Sequence, residues 1–489
     1  MDNSGSKKSG RWFAGLLLAA CACAPAGAHA QVDVPDAATR QLAHDIFKQL
    51  IEINTTDSVG STTDAAQAMA QRLLDAGFPA ADVQVLGPNA RRGNLVARLR
   101  GKGTAKPILL ICHLDVVEAR REDWTTDPFQ FIEQDGYFYG RGTQDVKSGD
   151  AILITTLIRM KREGFVPERD IIVALTADEE GGDSNGVSWL LNNHRDLIDA
   201  EYVLNPDSGG VDGEQGRAVS VDLGATEKLY ADYVITATNP GGHSSVPVAD
   251  NAIYELADAL ERLRRSPFPV ELNAVTRAFL ERDAPLEAPQ VARDMRALLH
   301  QHPPAAAIAR LSADRHFNAM LRTTCVATRV DAGHANNALP QRAQATVNCR
   351  ILPGHSKEEI RQTLIKIVND AHLTVRYQSD AGEMSDRAPE ARALPPPPIR
   401  SDVLAALDQV SAQLWPGVPV IPEMETGASD GIYTNAAGLP TYGVSGVMVD
   451  RDDVRAHGRD ERLRESSFYT GLDFYGRILR TLSSSPATR

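Results

Sequence analysis

The chain has 489 residues, 43% of them hydrophobic and 24% charged, an ordinary globular composition that is too long for one typical domain. Its 51 Lys plus Arg stand against 64 Asp plus Glu, a formal net charge of -13. That balance lacks the basic stripe a nucleic acid or an anionic membrane surface needs, so two domains and no nucleic-acid partner are expected.

The N-terminus reads as an export signal. Lys7, Lys8 and Arg11 precede an apolar run from Trp12 to Cys23, and Ala28-His29-Ala30 then forms an A-x-A cleavage pattern before Gln31. The run is too short to span a bilayer, and no membrane span is expected. Residues 1–30 would be removed and the mature chain would be periplasmic or extracellular. Leu18-Ala19-Ala20-Cys21 leaves a second reading open, a lipoprotein anchored through Cys21. Cys112, Cys325 and Cys349 are widely spaced and odd in number, so no disulfide framework or C-x-x-C knuckle follows and they read as buried small hydrophobes.

Strand and helix patterns alternate through residues 40–210. Asp45–Ile53 and Asp64–Ala76 read as helices, the second closed by Gly77. Asn94–Leu99 and Pro107–Cys112 read as strands, Gly149–Arg162 as a helix, Asp170–Thr176 as a strand, Val187–Asn193 as a helix and Tyr202–Leu204 as a strand. The strands lack polar alternation, as expected when helices cover both faces of a largely parallel sheet. The fold class is therefore α/β, with residues 31–221 as the first part of this domain.

The pattern changes after about residue 220. Lys228–Thr238, Thr323–Val330 and Ala343–Ile351 alternate like half-solvated strands, and Ala252–Leu263 and Lys357–Ala371 read as helices. They suggest an inserted α+β module over 222–380, a lid or dimerisation domain. Within it, residues 270–320 form a polar helical insertion with no evident role. Ala393-Leu-Pro-Pro-Pro-Pro-Ile399 reads as a stiff linker, and residues 381–489 return to complete the first sheet.

Functional residues of open α/β sheets gather beyond the carboxyl ends of the strands. His113 and Asp115 follow one strand, Glu179 and Glu180 another, and Asp207 a third, while Asp145 lies in the loop Gly140-Arg-Gly-Thr-Gln-Asp145 and His457 in Ala456-His-Gly-Arg-Asp-Glu461. Singly these are weak: a His-x-Asp is usually a turn, a Glu-Glu pair a solvated loop, and Asp145 would serve as a helix cap. Their joint placement is what matters. Two histidines and three carboxylates suit two zinc-like ions sharing a carboxylate, with a spare glutamate as general base.

With these motifs the chain resembles the dinuclear zinc hydrolases of clan MH, among them carboxypeptidase G, aminoacylase, acetylornithine deacetylase, succinyl-diaminopimelate desuccinylase and carnosinase-like dipeptidases. The resemblance spans about residues 40–480. It rests on Ile-Cys-His113-Leu-Asp115-Val, Tyr-Gly-Arg-Gly-Thr-Gln-Asp145-Val-Lys, Ala-Asp-Glu179-Glu180-Gly-Gly, Asn-Pro-Asp207-Ser-Gly-Gly and Ala-His457-Gly-Arg-Asp-Glu. It implies one Zn2+ on His113 and Asp207 and a second on Glu180 and His457, with Asp145 bridging; Mn2+ or Co2+ would be possible substitutes. Asp115 would hydrogen-bond and orient His113. Glu179 would take a proton from the metal-bridging water and deliver one to the leaving nitrogen.

The resemblance extends into the insert. Gly241-Gly242-His243-Ser244-Ser245 is similar to the family's lid histidine loop, which in dimeric members reaches the partner's active site, so a homodimer through the lid is implied and His243 would stabilise the oxyanion. Asn337-Ala-Leu-Pro340 and Arg350 resemble lid residues that hold a substrate carboxylate, and Thr426-Gly427-Ala-Ser429-Asp430 resembles the glycine-rich substrate loop. Asp at 207 is typical of aminopeptidase and dipeptidase members, whereas Asp123-Trp-Thr-Thr-Asp-Pro-Phe129 and the stretch from Asn318 to Thr324 look like carboxypeptidase S and aminoacylase relatives. The expectation is thus hydrolysis of an amide bond in small peptides or N-acyl amino acids, with the bond polarity open. The rivals are a catalytically silent binding protein on the same fold, which a complete ligand set with Glu179 disfavours, and a dinuclear phosphoesterase, which would want a glycine-rich phosphate cradle.

Overall fold

The computed structural model describes residues 35–379, 382–389 and 394–484. The export signal, Cys21 and Ala393 of the linker lie outside them. The first helix, Ala37–Glu52, begins well ahead of Asp45 because Asp36 caps it: its carboxylate accepts the Thr39 amide at 2.8 Å. Helix Thr62–Asp75 ends as expected before Gly77, whose φ of +87° suits glycine.

The main sheet has ten strands among the described residues. At its centre Ile108–His113 runs parallel to Ile171–Thr176 on one side and Tyr202–Asn205 on the other. Thr441–Gly443 adds in parallel beyond Tyr202–Asn205, while Asn94–Leu99 and Val83–Leu86 add antiparallel at the other edge. All six residues of Ile108–His113 are buried, and alternation sorts them into two cores. Ile108, Leu110 and Cys112 join the cluster under Ala37–Glu52, Lys147–Arg162 and Glu465–Ser484; Leu109 and Ile111 join the one under Gly186–Asn193. Both faces are covered, so the strand sequence needs no polar residues.

The Arg217–Glu227 strand also belongs to this sheet and takes Val420–Glu425 alongside it in parallel. Immediately after Lys228 the chain enters a second sheet, antiparallel throughout, ordered Thr324–Ala332, Arg342–Ile351, Leu229–Thr238, Leu373–Gln378, Met384–Ser385. Here Ala343, Ala345, Val347, Cys349 and Ile351 are buried under Ala252–Arg265 and Lys357–Val368, and the residues between them are not. This is the half-solvated pattern the sequence displayed.

Two findings depart from expectation. Cys112 is a buried free thiol, but Cys325 and Cys349 form a disulfide. They sit directly opposite each other on adjacent antiparallel strands, a proximity set by register and hidden by a separation of 24 residues. Second, helices Ala274–Asp283, Pro289–Leu298, Ala305–Leu311 and Arg315–Leu321 build their core around Ile421 of the main sheet, and Arg282 Nη1 donates to the Val420 carbonyl at 2.9 Å. The polar insertion therefore roofs the main sheet and not the antiparallel one. Among the described residues no helix is long and apolar enough to cross a membrane.

Candidate metal centre

Three parallel strands deliver their carboxyl ends to one place. His113 ends its strand, Glu179 and Glu180 follow Ile171–Thr176, and Asp207 follows Tyr202–Asn205. Asp145 arrives from the loop before Lys147–Arg162, and His457 from the loop before Arg462–Arg464. Asp145 stands between the histidines: its Oδ1 is 3.1 Å from His113 Nε2 and its Oδ2 3.0 Å from His457 Nε2. Asp207 Oδ1 lies 3.6 Å from His113 Nε2, and Glu180 Oε1 lies 2.7 Å from His457 Nε2.

Donor atoms of His113, Asp145 and Asp207 lie within 4.8 Å of one another, as do those of Asp145, Glu180 and His457. His113, Glu179 and Glu180 meet the same limit, which puts the Glu179 carboxylate at the same centre. Imidazole and carboxylate donors in two triads that share one carboxylate fit two divalent cations.

The surroundings aim these groups. The His113 ring is held through Nδ1 by the Asp115 main-chain carbonyl at 2.9 Å, whereas the Asp115 carboxylate is 3.9 Å away. Asp115 thus meets the His113 ring, through its main chain and not its carboxylate. Its two oxygens instead accept the amides of Glu179 (3.1 Å) and Glu180 (2.9 Å), so Asp115 shapes the acidic turn and its carbonyl fixes the histidine.

Glu461, fully buried, plays a part no sequence pattern announced. Its carboxylate accepts from Gln144 N at 2.7 Å, Asp145 N and Gly142 N at 3.1 Å, and Arg141 Nη1 at 2.7 Å. Gln144 returns the link, its Oε1 accepting from Arg455 N and Ala456 N at 2.7 and 3.0 Å. The Asp145 loop and the His457 loop are thereby tied together although they lie far apart in the chain. Lys147 Nζ, also buried, donates to the Leu50 and Ile53 carbonyls and anchors the same loop to the first helix. The only sequence hint was that Glu461 falls inside the His457 motif and Arg141 inside the Asp145 motif.

So many carboxylates in one place oppose their own ionisation. Burial pushes the Glu179 carboxyl up to about 10, reinforced by Asp207, Asp430 and Glu180 nearby, and offset in part by His113. Hydrogen bonds to Asp145 and Glu180 lift His457 to about 10. Burial works against the Asp145 charge as well, but hydrogen bonds from His113 and His457 outweigh it and hold that carboxyl well below the usual range. A bound cation inverts this logic by favouring every carboxylate in its ionised form and the imidazoles as neutral.

The centre opens into a cleft of about 170 Å³ lined by Ser208, Glu227, Glu425, Gly427, Ala428 and Ser429 besides the ligands. Gly427 is thus where the sequence placed it. Glu227 and Glu425 were missed, because each lies inside an ordinary strand pattern. Glu227 accepts the Ser429 amide at 2.6 Å and burial pushes its carboxyl up to about 8; Glu425 accepts the Gly209 amide at 3.0 Å. Asp430, beneath the loop, accepts from Asn185 at 2.6 Å and Thr176 at 3.1 Å. His457 is half exposed, so the cleft is open on that side.

The three residues named in the second module do not line this cleft. Gly242–His243 pairs with Ala338–Leu339 in a small ribbon, which joins the His243 and Asn337 loops through Ser244 N to the Asn337 carbonyl at 3.1 Å. His243 is exposed, with Nδ1 2.7 Å from the Ser245 hydroxyl. Arg350 sits over the Tyr230 ring at 4.8 Å, on the strand next to it.

Comparison with known proteins agrees with this picture. The family description Peptidase family M20/M25/M40 matches residues 109–481. The chain is 28% identical over 389 residues to a probable carboxypeptidase S-like 2 of Dictyostelium discoideum, covering 77% of this chain and 71% of that protein. It is 27% identical over 388 residues to the N-fatty-acyl-amino acid synthase/hydrolase PM20D1 of Xenopus tropicalis, covering 76% and 72%. Among solved structures, the M20 family metallo-carboxypeptidase Sso-CP2 from Sulfolobus solfataricus superposes with a TM-score of 0.66 at 15% identity, over 90% of this chain and 99% of that one, a likeness of fold.

Proposed function

The chain belongs to peptidase family M20/M25/M40, and on that footing we propose that it hydrolyses the amide bond of N-acyl amino acids or small peptides at the centre built on Asp145. The observation that supports this most is the division of Asp145 between two histidines, Oδ1 toward His113 and Oδ2 toward His457. One divalent ion would be held by His113, Asp145 and Asp207, the other by Asp145, Glu180 and His457; zinc suits these donors, and manganese or cobalt would serve. When bound, such ions supply Lewis acidity at the scissile carbonyl and acidify water beside it.

The protein's own part is proton transfer and positioning. Glu179 takes a proton from the attacking water onto its carboxylate oxygen and passes it to the leaving nitrogen. Burial, which raises its affinity for that proton, favours holding it between the two steps. Asp115 fixes the Glu179–Glu180 turn through its two main-chain bonds, and Glu461 fixes the Asp145 loop.

The substrate's free carboxylate has no lysine or arginine to meet in the cleft lining. Arg350 and Asn337 of the 222–380 lid module would supply that contact, and His243 would stabilise the oxyanion, on closure of the lid or from a second copy. The 274–321 helices, packed on the main sheet, would stay with the catalytic part, residues 31–221 and 381–489. Both sequence relatives favour an acyl or carboxy-terminal amide over an amino-terminal one. The reading also has the chain exported, through cleavage after residue 30 or with a lipid at Cys21; the Cys325–Cys349 disulfide supports an oxidising compartment.

The test is a turnover screen of the zinc-loaded protein on N-acyl amino acids, dipeptides and C-terminally extended peptides, with Glu179→Ala in parallel. Turnover of the first class, abolished in the variant, is expected. Equal turnover by wild type and variant would remove Glu179 from the mechanism.

A further inference from the structure

Strand Val420–Glu425 serves two places. Its Glu425 faces the metal cleft, while Glu423 and Ile421, on the same face, lie under the helices of residues 274–321. Register extends this face sideways: Asp222 is opposite Ile421 and Asp212 is opposite Ser220. Sheet and helices enclose a cavity of about 690 Å³, far larger than the catalytic cleft and sharing no lining residue with it.

The cavity has more negative charge than its own cations neutralise. Arg451 pairs directly with Asp212, Nε to Oδ2 at 2.7 Å, and acts on Asp222 and Asp283 only from a distance, while Arg310 forms a two-pronged pair with Asp294 at 2.7 Å. Arg315 lies exposed on the rim. Among the described residues Glu423 has His316, 3.5 Å away, as its one close ion partner, and Asp222 has the Ser220 hydroxyl at 3.4 Å as its one side-chain hydrogen bond.

Asp283 is the sharpest case. It is 8% exposed, lines the cavity, and its carboxylate makes no hydrogen bond or close ion pair among the described residues. It is also the last residue of helix Ala274–Asp283, where the helix dipole repels an anion and Glu287 adds a like charge. Burial, with Glu287 next, pushes Asp283 up to about 6, and burial with Asp212 pushes Asp222 up to about 8, the Arg451 guanidinium offsetting only part of either rise. An uncompensated buried carboxylate is costly unless a cation joins it.

Spacing decides the kind of cation. At the catalytic centre three donors converge within 4.8 Å; among the described residues no three donors of this cavity do so. A single dehydrated metal ion would not reach them together. A longer molecule with several N–H donors would, and the Phe279 and Phe317 rings on the wall suit its methylene stem. We infer that the cavity beneath the 274–321 helices is a binding site for an organic cation with more than one amine or guanidinium group, held by Asp283, Asp222, Glu287 and Glu423. This gives the helical insertion a function distinct from the hydrolytic centre.

Spermidine is a suitable probe, titrated calorimetrically into the full-length chain at fixed ionic strength, beside calcium chloride. Wild type is expected to bind about one spermidine per chain saturably. Asp283→Asn and Glu287→Gln are each expected to weaken it roughly 10- to 100-fold, the loss of one charge-assisted hydrogen bond, and Glu122→Gln on a remote surface to leave it unchanged. Equal affinity in all four proteins would mean diffuse attraction to an acidic chain and would overturn the site. Saturable calcium binding lost in Asp283→Asn, without spermidine binding, would overturn it in favour of a metal. Should Asp283→Asn fail to fold, Glu287→Gln, at a partly exposed position, decides alone.

Discussion

Two acid-rich regions share the strand Val420–Glu425, and they are built differently. In the cleft at Glu425, carboxylates crowd within a few ångströms of two histidines, and each is aimed by buried bonds such as those of Glu461 to the Asp145 loop. In the cavity at Glu423, the carboxylates are spread over about 690 Å³, and among the described residues Asp283 has no hydrogen bond or close ion pair to hold it, only the field of Arg451. Negative charge alone therefore does not specify a ligand. Donor spacing, the presence of imidazole and the rigidity of the support separate a metal centre from a site for an extended cation.

The comparison breaks most visibly through the chemistry. Glu179→Ala should lower kcat by about 10²- to 10⁴-fold, the usual worth of a general acid–base, while bound metal stays the same; a parallel fall in metal content would make Glu179 a ligand. Glu461→Gln should act on the metal, weakening affinity about 10- to 100-fold as loss of a supporting contact does. Its readout is metal affinity measured with a competing chelator, and unchanged affinity would deny that the tie between loops matters. For the second module, Arg350→Lys should raise KM about 10-fold for substrates with a free carboxylate, since an ammonium cannot replace a planar fork, and leave their amides unaffected.

The smallest effect concerns the cavity. Asp283 binds its proton more tightly folded than unfolded, so this carboxyl contributes stability that is present below its ordinary value near 4 and is lost as pH rises through about 6. Asp283→Asn should therefore melt close to wild type at acid pH and a few degrees above it at neutral pH. A constant difference across that window would show that Asp283 is already compensated in the free protein.

Much of the centre was legible because parallel strands impose a rule: His113, Glu179, Glu180 and Asp207 all follow central strands, and those strands end on one side. Gly427 was legible through its glycine-rich loop. What was hidden depends on tertiary contact. Asp115 sits two residues from His113, yet which of its oxygens meets the ring is decided by where the Glu179 and Glu180 amides lie. Glu227 and Glu425 are strand residues, opposite each other across the sheet, that only the fold brings to the cleft lining. Cys325 and Cys349 depend on register, and the 274–321 helices on one side chain, Ile421, that no periodicity singles out.

The account stands on Asp145 serving two ions at once, and elemental analysis of the purified, remetallated protein tests that most directly. Wild type should hold two divalent ions per chain, and Asp145→Ala should lose both under the same dialysis. A wild-type chain that holds one ion, or an Asp145→Ala chain that keeps two, would contradict the shared carboxylate.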